Sequence, residues 1–191
     1  LEKETSSTRD RFGRQKFGQS LLLARRLIET GVRLVQVNWP REPGDLNRGN
    51  PLWDTHQKNA ERCRDVLCPT FDQSFPELIR DLDASGLLKE ILVVVFGEFG
   101  RSPTINGDGG RDHWGACFSI ALAGAGMDTG RIIGASDAHA AFVKDRPVRP
   151  SELSATILHL LGIQPTARFI DTLGRPRTVT DGGIPMSEIV G

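Results

Sequence analysis

Six consecutive residues, Ile91-Leu92-Val93-Val94-Val95-Phe96, constrain this chain more than any other feature. The run is aliphatic with a terminal aromatic, offers no polar residue to either face, and is closed by Gly97. A strand with one wet face alternates apolar with polar residues; a strand apolar on both faces has to be covered on both. The run therefore predicts a buried strand in a mostly parallel sheet flanked by helices. It is also the longest apolar stretch, far below the roughly 20 residues a membrane-spanning helix needs.

The surrounding sequence supplies the helices. Phe17, Leu21, Ala24 and Ile28 recur at helical spacing, and Gly31 marks a stop. Val32–Val37 predicts a first strand, closed by Trp39-Pro40, and residues 40–53, rich in Pro, Gly and Asn, predict a loop. A second helix is expected from Gln57 to Ser85, with the stripe Leu67, Phe71, Phe75, Leu78 and Leu82 and a break at Pro69 or Pro76. Short strands are expected at Phe118–Ala123 and Arg131–Gly134. A third helix is expected from Ser151, its N-cap, to Leu161, stopped by Gly162. Alternating helices and strands indicate a single α/β domain over residues 1–191. Residues 1–10 read as a loose segment and residues 163–191 as a tail packed on the domain.

Charge narrows the function classes. Lys and Arg total 24 and Asp and Glu total 24, so the net charge is zero, without the basic excess of a dedicated nucleic-acid binder. The three cysteines are an odd number and give no disulfide framework. The chain opens on Leu-Glu-Lys-Glu with no targeting pattern, which reads either as a start that has been removed or as the later portion of a longer protein.

In a parallel sheet the chemistry gathers at the carboxyl ends of strands, here the loops after Val37 and Phe96. The first ends in Trp53-Asp54-Thr55-His56. Residues two apart share a face only on extended or turned backbone, so Asp54 and His56 read either as metal ligands or, with Gln57, as a capping box for the next helix. The second opens Gly97-Glu98-Phe99-Gly100-Arg101, where Glu98 is a ligand or acid/base candidate, or the ion-pair partner of Arg101. It ends Gly110-Arg111-Asp112-His113-Trp114: metal-ligand types beside an arginine suited to an anion, or a loop anchored by His113. His139, in Asp137-Ala138-His139, and His159, between two leucines, are weaker candidates. Glycine-rich nucleotide loops, His-Glu-x-x-His and Gly-x-Ser-x-Gly are absent.

Five motifs in order give a resemblance. These are Leu21 to Ile28 with Gly31-Val32-Arg33; Trp53-Asp54-Thr55-His56; Gly97-Glu98-Phe99-Gly100-Arg101-Ser102-Pro103; Gly110-Arg111-Asp112-His113-Trp114; and Asp145-Arg146-Pro147-Val148. Over residues 10–165 the chain resembles the bacterial domain-of-unknown-function family 1501, grouped with the alkaline phosphatase and sulfatase superfamily. The resemblance implies an alkaline phosphatase-like α/β fold of which this chain is the C-terminal portion. It implies a metal-dependent hydrolase of phosphate or sulfate esters acting on a small anionic substrate, with one or two divalent ions, Zn, Mn or Ca. It implies a metal-binding set of Asp54, His56, Glu98, Asp112 and His113, in which Asp54, His56 and His113 hold one metal and Glu98 bridges towards a second, and that Arg101 or Arg111 holds the anion. Phe99 stands where the superfamily places a ligating His. The nucleophile is expected in a preceding half, and the location outside the cytoplasm. The alternative is a non-catalytic member that binds a metal or ligand.

Overall fold

The computed structural model describes residues 1–41 and 52–190. The chain divides into two compact units, Leu1–Leu87 with Arg101–His113, and Leu88–Gly100 with Trp114–Gly191.

The first unit is built on helices. Part of the segment 1–10, expected to be loose, belongs to α1 (Ser6–Phe12): the Thr5 hydroxyl accepts the Thr8 N–H at the start, and Gly13 ends the helix at φ 89°. Phe12 is fully buried. Helix α2 (Lys16–Glu29) follows and buries Phe17, Leu21 and Leu22. A long helical run comes next: α3 (Asn59–Arg62), a π-helical turn at Cys63–Leu67, and α4 (Cys68–Ala84). The break expected at Pro69 or Pro76 takes the form of that wide turn, just before Pro69, whose missing N–H cannot serve the preceding turn. Pro76 is carried inside α4. Leu78 and Leu82 of α4 are buried, and Arg25 of α2 meets Asp81 at 2.5 Å. An aromatic row joins Phe17 to Trp39, Trp39 to Trp53 and Trp53 to Phe71, with centroids 4.3, 5.3 and 6.3 Å apart. It fixes the backbone immediately before Asp54.

Residues 32–37 form no strand; Leu34 is 76% exposed, and no strand among the described residues pairs with them. A β-segment without a neighbour leaves its N–H and C=O groups to water, so pattern alone cannot hold it in a sheet. Most of the loop expected over 40–53 lies outside the described residues.

In the second unit Leu92–Val95 pairs antiparallel with Ala121–Gly124, Leu92 opposite Gly124 and Val95 opposite Ala121. Both strands are shorter than the runs that predict them, and Leu92–Val95 is half-buried rather than enclosed. The strand expected at Arg131–Gly134 is displaced to Ala135–Ser136, which pairs with Val143–Asp145. Arg168–Ile170 and Pro176–Thr178 form a hairpin whose turn is tied by Asp171, which accepts the N–H groups of Leu173 and Arg175. Among the described residues every ladder is two-stranded, and these three are antiparallel. Helix α5 (Pro150–Leu160) is capped at Arg149 rather than Ser151, because Pro150 takes the first turn and Glu152 accepts the Arg149 N–H at 2.9 Å. Helix α6 is Ser187–Val190. No helix among the described residues is long and apolar enough to cross a membrane.

Arg146 joins α5 to α6. Its guanidinium donates to Glu188 at 2.6 and 3.1 Å and to Glu152 at 2.9 Å. That bond pushes the Glu188 carboxyl down to about 2. A carboxyl lowered on folding stabilises the protein above its unfolded value, and the contribution is lost as pH falls through its folded value. In an NMR acid titration Glu188 should therefore titrate near pH 2. In Arg146→Ala it should rise towards the ordinary glutamate value of about 4.3, with the backbone N–H and Ser187 bonds keeping part of the lowering. The same low midpoint in both proteins would remove Arg146 as the cause.

Candidate metal centre

Two stretches of the first unit build the site, and each needs the other. In residues 53–56 the Thr55 N–H bonds to the Trp53 carbonyl and the His56 N–H to the Asp54 carbonyl, both at 3.0 Å, tight turns that close over three residues. Thr55 is 1% exposed, and its hydroxyl accepts Asn59 Nδ2 at 2.5 Å, while Asp54 and His56 remain accessible. The capping alternative for Asp54 fails. Helix α3 starts at Asn59 behind Lys58, whose φ is 47°, and no side chain caps it.

Residues 101–113 lie along this segment. The Arg111 N–H donates to the Thr55 carbonyl at 2.9 Å, and the Lys58 and Asn59 N–H groups donate to the carbonyls of Asp108 and Gly109. Gly110 is what permits the approach: a Cβ there would stand 1.8 Å from the His56 carbonyl oxygen. The Ser102 N–H donates to the Asp112 carbonyl at 2.8 Å at the neck of the loop. Arg111 Nη1 donates to the carbonyls of Ser102 and Pro103, so this arginine clamps the loop. Asn106 closes the turn and reaches the His56 carbonyl and Asp112.

Three ligand atoms then converge. Asp54 Oδ1 is 2.9 Å from His113 Nε2 and 3.0 Å from His56 Nε2, and the two Nε2 atoms are 3.1 Å apart. Asp54, His56 and His113 form the one group of three or more ligand residues, among those described, whose atoms all lie within 4.8 Å. Arg101 Nη1 donates to Asp54 Oδ1 at 2.5 Å, and Asp112 Oδ1 faces His56 Nδ1 at 2.8 Å. Asp112 thus sits behind the His56 ring. Glu98 belongs to the second unit, where it is exposed.

The protons can be placed. Burial alone would raise the Asp54 carboxyl, but bonds from His113 and Arg101 outweigh it and hold it below the usual range. His56, and after it Asn106, lower Asp112 as well. An ionised carboxylate only accepts, so His56 donates through Nδ1, and a neutral imidazole then carries its lone pair on Nε2. In that tautomer Nε2, which lies 3.0 Å from Asp54 Oδ1 and 3.1 Å from His113 Nε2, is the His56 nitrogen open to a cation, and a cation at the group would take the place of the proton that His113 shares with Asp54. One carboxylate oxygen and two imidazole nitrogens are a donor set for a first-row divalent ion. A tetrahedral ion with bonds near 2.0–2.1 Å spaces its ligand atoms about 3.3 Å apart, close to the spacing here.

The remaining candidates have local duties. Asp137 accepts the N–H groups of His139, Ala141 and Phe142, so the second Asp-x-His pair ties a turn through its backbone. His159 lies on α5 in the second unit. The Cys63 thiol is pushed up by burial, the opposite of an activated nucleophile.

The family model for a protein of unknown function, DUF1501, matches residues 1–190. The chain belongs to the DUF1501 family. No curated protein and no solved structure matches it. In this DUF1501 member Thr55 and Gly110 are legible only as members of motifs, without their structural duties, and Asn59 and Asn106 lie outside every motif. Of these two, Asn106, followed by Gly107 in a turn dipeptide, left a signal.

Proposed function

We propose that Asp54, His56 and His113 hold a divalent metal ion and that the chain is part of an alkaline phosphatase- or sulfatase-like hydrolase of phosphate or sulfate esters. The observation that carries the reading is the convergence of the three ligand atoms within 4.8 Å, with His56 Nε2 turned inward and Nδ1 facing Asp112. Two imidazoles with one carboxylate suit Zn²⁺ or Mn²⁺ better than Ca²⁺, which prefers an all-oxygen shell. When bound, such an ion polarises an ester oxygen and offsets developing negative charge. Arg101, already at the edge of the cluster, takes the substrate anion. Asp112 holds the His56 ring and its tautomer. The alkaline phosphatase-like fold belongs to the same proposal and is supported by the motif resemblance.

The test is metal content followed by turnover. Purified protein equilibrated with Zn²⁺ or Mn²⁺ and desalted is expected to retain about one ion per chain, and His113→Ala to retain none. Nitrophenyl phosphate, a nitrophenyl phosphodiester and nitrophenyl sulfate are then assayed with the loaded protein. Metal uptake that His113→Ala leaves intact removes the assigned ligands. Metal uptake with no turnover on any ester favours the non-catalytic member of the fold.

A further inference from the structure

Asn106 is neither a ligand type nor part of a helix or strand, yet both ends of its amide are engaged. Oδ1 accepts the N–H groups of Asp108 at 3.0 Å and Gly110 at 2.9 Å, which closes the turn. Nδ2 donates to the His56 carbonyl at 3.0 Å and to Asp112 Oδ1 at 3.1 Å. That Asp112 oxygen is the one facing His56 Nδ1. A single amide therefore grips the backbone of a ligand residue and the carboxylate that orients the ligand's ring.

We propose that Asn106 is a positioning residue for the metal site: acting through Asp112, it sets the rotation and tautomer of His56 so that Nε2 is presented to Asp54 and His113. The inference rests on the metal reading above. Asp112 needs such help. Its side chain is 59% exposed, and a carboxylate at the surface has rotamers open to it that turn away from the ring. The Asn106 donor bonds Asp112 in the conformation that reaches His56. Outer partners of this kind fix the orientation and basicity of a metal-binding histidine, and removing them costs about 10–100-fold in metal affinity.

Cobalt(II), whose visible bands report ligand geometry, is the probe. Asn106→Ala would also open the turn, so Asn106→Asp carries the test. It keeps an oxygen for the Asp108 and Gly110 N–H groups but loses the donor to Asp112 and His56. Melting temperature checks that the turn survives. Asn106→Asp is expected to bind Co²⁺ about 10–100-fold more weakly, with altered visible bands. Its extra negative charge also repels Asp112 across about 3.1 Å, which removes the same grip on that carboxylate, so the comparison with the double variant decides and not the loss alone. Asp112→Ala is expected to lose a similar factor, and adding Asn106→Asp to it to change affinity by less than about twofold, because the two act in series. Independent, multiplying losses would overturn the proposal, as would an Asp112→Ala protein that binds as the wild type does. Wild-type uptake of Co²⁺ with an unchanged Asn106→Asp affinity and spectrum would overturn this inference alone. A wild-type protein that takes up no Co²⁺ would overturn the metal reading and this inference with it.

Discussion

Replacing Gly110 by alanine is expected to lower the melting temperature of the first unit by roughly 12–24 °C and to abolish metal uptake. The added Cβ would lie 1.8 Å from the His56 carbonyl oxygen, 1.9 Å from its carbon and 2.4 Å from the Gln57 nitrogen. All three are backbone atoms, so no side-chain rotation relieves the clash; one strand of the chain has to back away from the other. Overpacking of this kind costs about 3 kcal/mol or more. In a unit of this size that corresponds to the stated drop, at roughly 4–8 °C per kcal/mol. The separation would also break the bonds that bring Arg111 and Asp112 to Thr55 and His56. Gly107→Ala is the control, since nothing lies within 4 Å of its Cβ position. Differential scanning calorimetry of the two variants decides it: equal shifts would mean that the close packing of 106–111 on 55–59 does not matter.

Asp54→Asn is expected to weaken Zn²⁺ binding by more than about a hundredfold while leaving melting of the metal-free protein nearly unchanged, a loss beyond that caused by removing an outer partner. Asp54 is the one anionic member of the three-residue group and also the counter-charge of Arg101. The substitution preserves shape. It replaces an anionic ligand by a neutral amide and removes the negative charge that stands between the Arg101 guanidinium and the incoming cation. Since the Asp54 side chain is 51% exposed, the ion pair itself adds little to stability. Competition with a chromophoric chelator measures the affinity. Retained affinity would show that the imidazoles suffice and that Asp54 serves Arg101 instead.

Much of the cluster could be read from local chemistry. Asp54 and His56 are two apart on turned backbone, and their shared face follows from spacing. That His113 joins them could not be read from spacing, because the contact spans 57 residues and depends on Gly110 allowing two backbones to touch. Asp112 was legible as a polar residue of the site but not as a partner of His56 Nδ1, because consecutive residues turn opposite ways on extended chain and only the fold decides which faces what. Asn106 carried the signal of a turn, and its second duty comes from a carboxylate that the turn brings back. In the fold, the helices at 16–29 and 68–84 follow their apolar stripes. The hydrophobic pattern of 32–37 could not supply a neighbouring strand, and the run at 91–96 could not say whether its partner would be parallel or antiparallel.

The chain passes between the two units three times, after residues 87, 100 and 113, and this interleaving governs how the protein can be cut. A fragment ending at residue 87 keeps every helix of the first unit but carries only Asp54 and His56 of the ligand group. A fragment starting at residue 88 carries His113 and Arg101 apart from the surface they fold against. During synthesis the helices emerge well before the histidine that completes the cluster. The ligand group is therefore the last part of the first unit to close. Split-protein designs and limited proteolysis at residue 87 should yield pieces that regain cation binding only when recombined.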